Sequence, residues 1–209
     1  MFSKEIAVVL NGEACGVKDF EITEISVDSR SLVNPETALF FALKGINHDG
    51  HDYVTALYGR GVRNVVVGEY RSEFEKLAEA NFFEVPDVKK ALQTLACWYR
   101  QQLDADIVGV AGSNGKTIVK EWIYQILSEE PDIYRSPRSY NSQIGVPLSL
   151  LGIPKTTRLA VIEAGISQPG EMVKLQQMIQ PRVGIFTHLG DAHGENFKSR
   201  EAKLEEKAR

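Results

Sequence analysis

Gly112-Ser113-Asn114-Gly115-Lys116-Thr117 combines the residue types that hold a phosphate. The apolar, β-branched run Ile107 to Ala111 precedes it and reads as a buried parallel strand. Ile118 to Leu127 follows, with apolar residues at helical spacing. Strand, glycine loop, Lys-Thr and helix is the build of a phosphate cradle. Glycines let backbone N–H groups point at phosphate oxygens, and the helix N-terminus adds its dipole. In that arrangement Lys116 reaches the β- and γ-phosphates of a nucleotide and the Thr117 hydroxyl sits on Mg2+. The general loop has a further glycine where Val110 stands, so the pattern here is the shorter Gly-x-x-Gly-Lys-Thr. A bare Gly-Lys-Thr arises by chance, but its place between a buried strand and an amphipathic helix favours nucleotide binding over a structural turn.

Glu163 ends another apolar strand, Leu159 to Ile162. A carboxylate there is either a Mg2+ ligand beside the loop or a strand end facing water, and the strand-end rule for α/β sheets favours the first. His193 lies in a polar loop with Asp191 and Glu195, after the candidate strand Val183 to His188. It reads equally as a site residue and as a solvated histidine. His48 and His51 have no Cys or further His near them, which argues against zinc. Asn141-Ser142-Gln143-Ile144-Gly145-Val146-Pro147 reads as a turn and helix start. Asp28-Ser29-Arg30 reads as a turn after a strand, although Arg30 has the chemistry to grip a phosphate, and Lys44-Gly45 is similar.

The elements that must position these residues alternate. Phe20 to Val27, Ala38 to Leu43 and Asn64 to Gly68 read as strands; Asp52 to Arg60 and the polar stretch Glu69 to Ala80 read as helices. Pro86 marks a boundary between residues 1–85 and 86–209. Asp87 to Leu103 reads as a helix leading into the phosphate-loop strand, and Ile133 to Ser136 and Gly170 to Ile179 supply a further strand and helix. The expectation is an α/β protein: a small N-terminal α/β domain, then a parallel, doubly wound sheet with its ligands at the carboxyl ends of the strands. Ser199 to Arg209 is a charged helical segment that no Gly or Pro closes, and only four strands of the second sheet are legible, so the sequence reads as part of a longer protein.

Composition narrows the class. Of 209 residues 43% are hydrophobic, enough for a core, and a net charge of −4 gives no electrostatic case for nucleic acid. Cys15 and Cys97 are far apart and read as free thiols in a reducing compartment. The N-terminal apolar run, Ile6 to Leu10, is too short for a signal peptide and no segment is long enough to span a membrane, so a cytoplasmic location is expected.

Together these motifs resemble the Mur ligase family along nearly the whole chain. Asp28-Ser29-Arg30 and Ala42-Leu43-Lys44-Gly45 with His51-Asp52 are similar to its N-terminal UDP-sugar-binding domain. Gly112 to Thr117 with Val119-Lys120-Glu121 is similar to its ATP loop, in which the early glycine is normally missing. Asn141 with Ile144 to Pro147 resembles a loop facing the active site in the members that join D-alanyl-D-alanine to UDP-N-acetylmuramoyl-tripeptide. Glu163 and His193 fall on the family's two Mg2+-binding positions. Lys207 falls where the family has a lysine carbamylated by CO2, whereas by pattern alone it belongs to a solvated surface helix with Glu205 and Glu206.

The resemblance implies an ATP-dependent acid–amino-acid ligase of peptidoglycan precursor synthesis, with ATP and Mg2+ as cofactors. Lys116, His193 and Lys207 would be catalytic. Gly112 to Thr117 would hold the ATP phosphates, and Ser29, Arg30, Lys44 and Asn141 the UDP-sugar peptide. Thr117, Glu163 and His193 would hold metal. It also implies the first and only part of the second of three domains. Ile118, Ser142 and the segment Glu163 to Ser167 depart from common family usage, and Ser139 to Gln143 is similar to members fused to an alanine racemase. Another ligase of the superfamily, a non-catalytic UDP-sugar or nucleotide-binding module and a switch GTPase remain as alternatives. The joint presence of Lys116, Glu163, His193 and Lys207 speaks against a binding module.

Overall fold

The structure is a computed structural model that describes residues 1–209 apart from 12, 16–17, 130–131, 189, 191–195, 198 and 208–209. The chain divides into two compact units, Met1–Leu95 and Ala96–Arg209.

The first unit opens with helix α1 (Ser3–Leu10) and contains strands β1 (Glu13–Cys15), β2 (Glu24–Ser26), β3 (Ala38–Phe41), β4 (Asn64–Val67) and β5 (Asn81–Glu84). They form one sheet in the order β1-β5-β4-β3-β2, parallel except for β1 at the edge. All residues of β3 and β4 are buried, which explains the apolar runs Ala38 to Phe41 and Val65 to Val67: a parallel strand covered on both faces has no solvent-facing side. Helix α2 (Val54–Gly59) packs Val54 and Leu57 into a core with Phe40, Val65, Phe74 and Phe82. The polar helix expected over Glu69 to Ala80 does not form. A single 3-10 turn, Ser72–Lys76, sets Phe74 in the core, and the chain then enters β5. Phe74 stacks on Phe82 with centroids 5.0 Å apart, so tertiary packing of two aromatic rings overrides the local helical preference.

Helix α3 (Val88–Arg100) leads into the second unit, whose strands are β6 (Asp106–Ala111), β7 (Ile133–Arg135), β8 (Leu159–Glu163) and β9 (Val183–Phe186). They are all parallel, in the order β7-β8-β6-β9. Helices α4 (Lys116–Ile126), α5 (Gly145–Leu151), α6 (Glu171–Ile179) and α7 (Arg200–Lys207) alternate with or follow them. Val110 pairs in register with Glu163 on one side and Ile185 on the other. The carboxyl ends of β6, β8 and β9 therefore share one edge of the sheet. No helix among the described residues is long and apolar enough to cross a membrane.

Candidate functional site

The phosphate-type loop leaves β6 at Gly112 and becomes α4 at Lys116. Gly112 and Gly115 both have positive φ, 137° and 81°, conformations that admit glycine at little cost. At Gly112 a Cβ would collide with the Thr187 side chain, because the loop is closed onto the end of β9. Ser113 N–H donates to the His188 carbonyl at 2.7 Å, and the Thr187 hydroxyl donates to the Asn114 carbonyl at 2.6 Å. Lys116 folds over the loop and donates from Nζ to the carbonyls of Gly112 and Ser113, both at 3.1 Å.

Glu163, at the end of β8, is 1% exposed. Its carboxylate is held from two directions: the Thr117 hydroxyl donates to Oε2 at 2.8 Å, and Asn141 Nδ2 donates to Oε1 at 2.6 Å. Its backbone N–H donates to Ser136 Oγ at 3.2 Å, so main chain and side chain are both fixed. Asn141 is locked in turn, since its carbonyl accepts from Gly165 N–H at 2.8 Å and a Cβ at Gly165 would press on its side chain. The Ser139 hydroxyl lies 3.4 Å from that of Thr117. A cavity of about 240 Å3 opens here, between Ser113, Lys116, Asn141, Gly165 and Lys207.

Thr117 and Glu163 offer hard oxygen donors side by side at the start of α4, a set suited to Mg2+ rather than to softer metals. Among the described residues no three His, Cys, Asp or Glu side chains form a cage. Mg2+ takes one or two carboxylates and completes its shell with water and phosphate oxygens. His193 lies outside the described residues.

Lys207 departs from its reading as a solvated surface residue. It is 4% exposed and donates from Nζ to the Gly112 carbonyl at 3.2 Å. Glu206, its neighbour, is buried as well, and Oε1 accepts from the N–H groups of Gly170 and Met172 at 2.9 and 3.1 Å. A carboxylate at the first turn of α6 meets unpaired donors and the positive end of the helix dipole. This cross-helix cap fixes α7 and thereby Lys207; nothing local to the sequence signals it.

In the first unit Arg30 forms a two-pronged pair with Asp28, Nε to Oδ1 at 2.9 Å and Nη2 to Oδ2 at 2.8 Å. The hydrogen bond from Arg30 holds the Asp28 carboxyl down at about 2. The Arg30 side chain is 87% exposed, and the Ser29 carbonyl accepts from Arg60. Lys44 lies 3.5 Å from Asp49 Oδ2. Asp49 also receives Arg71 at 2.9 Å and the buried His51, whose Nδ1 is 2.6 Å away. His51 Nε2 accepts from Gly68 N–H at 2.9 Å, which puts its ring proton on Nδ1, toward Asp49. Burial pushes the Asp49 carboxyl up; the bonds from the His51 backbone and ring and the charge of Arg71 outweigh this and hold it at about 2. The structure thus places Lys116, Thr117, Asn141, Glu163 and Lys207 together at one strand edge, and Ser29, Arg30 and Lys44 in loops of the first unit. Sequence reading missed Ser136 and Glu206, whose contacts are long-range, and gave Lys120 no role.

Comparison with known proteins bears on the family of both units. A family profile described as Mur ligase middle domain matches residues 110–209, and one described as Mur ligase family, catalytic domain, matches residues 21–100. The chain is 34% identical over 183 residues to the UDP-N-acetylmuramoyl-tripeptide–D-alanyl-D-alanine ligase of Bacillus subtilis, covering 88% of this chain and 39% of the relative. It is 35% identical over 216 residues to the ligase of the same name from Borreliella burgdorferi, covering 99% of this chain and 46% of the relative. The chain therefore spans less than half the length of these curated relatives. Among solved structures it is similar to MurF from Acinetobacter baumannii, with TM-score 0.86 and 27% identity over 98% of this chain and 44% of that one. It is also similar to the MurF ligase from Thermotoga maritima in complex with ADP, with TM-score 0.78 and 29% identity over 91% of this chain and 43% of that one. With its motifs in order along both units, and an α/β fold of parallel sheets shared with these structures, the chain belongs to the Mur ligase family.

Proposed function

We propose that the chain carries the UDP-sugar-binding and nucleotide-binding parts of a cytoplasmic ATP-dependent ligase. The enzyme joins D-alanyl-D-alanine to UDP-N-acetylmuramoyl-tripeptide in peptidoglycan precursor synthesis. The observation that carries this reading is the convergence of Lys116, Thr117, Asn141 and Glu163 on one strand edge, in a chain whose relatives bear that ligase name. The domains divide between residues 85 and 86, the first taking the UDP-sugar through Ser29, Arg30 and Lys44.

In the reaction the terminal carboxylate of the tripeptide attacks the γ-phosphorus of ATP. An acyl phosphate forms and ADP leaves. The amine of D-alanyl-D-alanine then attacks the acyl carbon, loses a proton and expels phosphate. The chain's own part is positioning and charge neutralisation. Backbone N–H groups of Gly112 to Thr117 cradle the phosphates, and Lys116 turns from the loop carbonyls to the γ-phosphoryl group. Thr117, Glu163 and His193 would hold Mg2+, which supplies charge neutralisation at the β- and γ-oxygens when bound. Asn141 keeps Glu163 aligned and faces the substrate. Lys207, once carbamylated, would change from a cation to an anion beside the phosphate loop.

The test is product formation by the enzyme that carries this chain. UDP-N-acetylmuramoyl-pentapeptide should appear only with ATP, Mg2+, the tripeptide and D-alanyl-D-alanine together. Ligation of a single amino acid in place of the dipeptide would redirect the reading to another ligase of the superfamily.

A further inference from the structure

Lys120 is a fully buried lysine one turn into α4, 0% exposed. Its ammonium group donates to the Ser136 carbonyl at 2.8 Å and to the Arg138 carbonyl, and lies 3.2 Å from Glu121 Oε1. Glu121 Oε2 in turn pairs with Arg135 Nε at 2.8 Å. The two carbonyls belong to the segment that leaves β7, and Arg138 there holds a positive φ of 48°, costly for a side chain other than glycine. Each contact of that segment with the site follows within a few residues. Ser136 Oγ accepts the Glu163 N–H, Ser139 approaches Thr117, and Asn141 donates to Glu163.

A buried cation is expensive unless its donors are matched, and matched donors make it a rigid bracket. A lysine with no reach to the cavity has no direct task there; its bonds go to the backbone that carries the tasks. We infer that Lys120 is a positioning residue that fixes the Ser136 to Asn141 segment, and through it sets the Thr117–Glu163 oxygen pair for Mg2+–nucleotide. This rests on the nucleotide reading of the site, and the test separates the two.

The first readout needs no ligand: hydrogen exchange of the Glu163 and Gly165 amides, which bond Ser136 and Asn141. Lys120→Met should speed exchange there while amides in α6 stay protected. The second is the Mg2+ concentration that half-saturates ADP binding by calorimetry. It should rise about tenfold, the usual scale for losing an outer-shell support of a metal site. Glu121→Gln, which keeps the volume and loosens the same bracket, should move both in the same direction by less, and it serves if the Met variant does not fold. Unchanged exchange, or faster exchange with an unchanged Mg2+ requirement, would overturn the inference. Absence of Mg2+-dependent ADP binding by the wild-type chain would overturn the nucleotide reading instead, and exchange alone would then decide whether Lys120 brackets the segment.

Discussion

Lys116 and Lys207 donate to the same acceptor: the Gly112 carbonyl lies 3.1 Å from one ammonium nitrogen and 3.2 Å from the other. One residue, at the point where β6 gives way to the glycine loop, thus ties the start of α4 to the end of α7. Two cations gathered on one carbonyl make this corner a natural place for the anionic oxygens of a phosphate, and carbamylation of Lys207 would leave Lys116 as the cation there.

Lys116→Ala should abolish most ligation while leaving the fold intact. Loss of one charge contact to the transferring phosphoryl group is expected to cost about 3 kcal/mol of transition-state stabilisation, a fall in kcat of roughly a hundredfold. Steady-state assay of the enzyme carrying the chain checks this; near-normal turnover would remove Lys116 from the mechanism.

Asn141→Ala should destabilise the second unit by about 1–3 kcal/mol, because it leaves Glu163 Oε1 buried without its donor. Thermal unfolding read by Trp98 or Trp122 fluorescence reports on this unit, which contains both residues. The loss should shrink when Glu163→Gln is made on the Asn141→Ala background, since a neutral amide is cheaper to leave unpaired.

Glu206→Ala should lower stability by about 1 kcal/mol through loss of the cap on α6. Glu206→Gln, which keeps an acceptor oxygen, should lose less. Ligation should fall with the Ala variant more than stability alone explains, because α7 also places Lys207. Equal unfolding midpoints for wild type and Glu206→Ala would show that the cap is not a support.

Stability of the first unit should depend on acid through Asp49. Its folded value of about 2 lies below the ordinary 3.8, so protons bind the unfolded chain more readily. The stabilisation is complete above pH of about 4 and drains as the pH falls through about 2. In Asp49→Asn that part of the acid dependence should vanish, and the variant should be less stable than wild type at pH 7. Amide exchange of β3 and β4 between pH 5 and 2 measures both.

Several features were legible because their physics is local. The buried strand before Gly112, the helical spacing after Thr117 and the carboxylate closing Leu159 to Glu163 are each a few residues long, and the strand-end rule joined them correctly. What stayed hidden depends on chain closure. The short run Phe82-Phe83 after Asn81 does not read as a strand, and β5 is held by its pairing with β4 and by the stacking of Phe82 on Phe74. Asn141 reads as a turn residue by pattern alone; the resemblance puts it in a loop facing the active site, and only the fold shows its bond to Glu163. Lys120 stands in the motif after the ATP loop with no task attached, and Lys207 reads as solvated by pattern alone, although the family resemblance marks it. Both are buried with their ammonium groups donating hydrogen bonds to distant backbone carbonyls.

The measurement that tests the central claim most directly is calorimetric titration of the wild-type chain and its Lys116→Ala variant with ATP, with and without Mg2+. The account predicts saturable binding to the wild type that strengthens with Mg2+ and falls at least tenfold in the variant, the scale of a lost charge-assisted contact of about 1.5–3 kcal/mol. Binding that ignores both Mg2+ and the loss of Lys116, or no binding to the wild type, would contradict it.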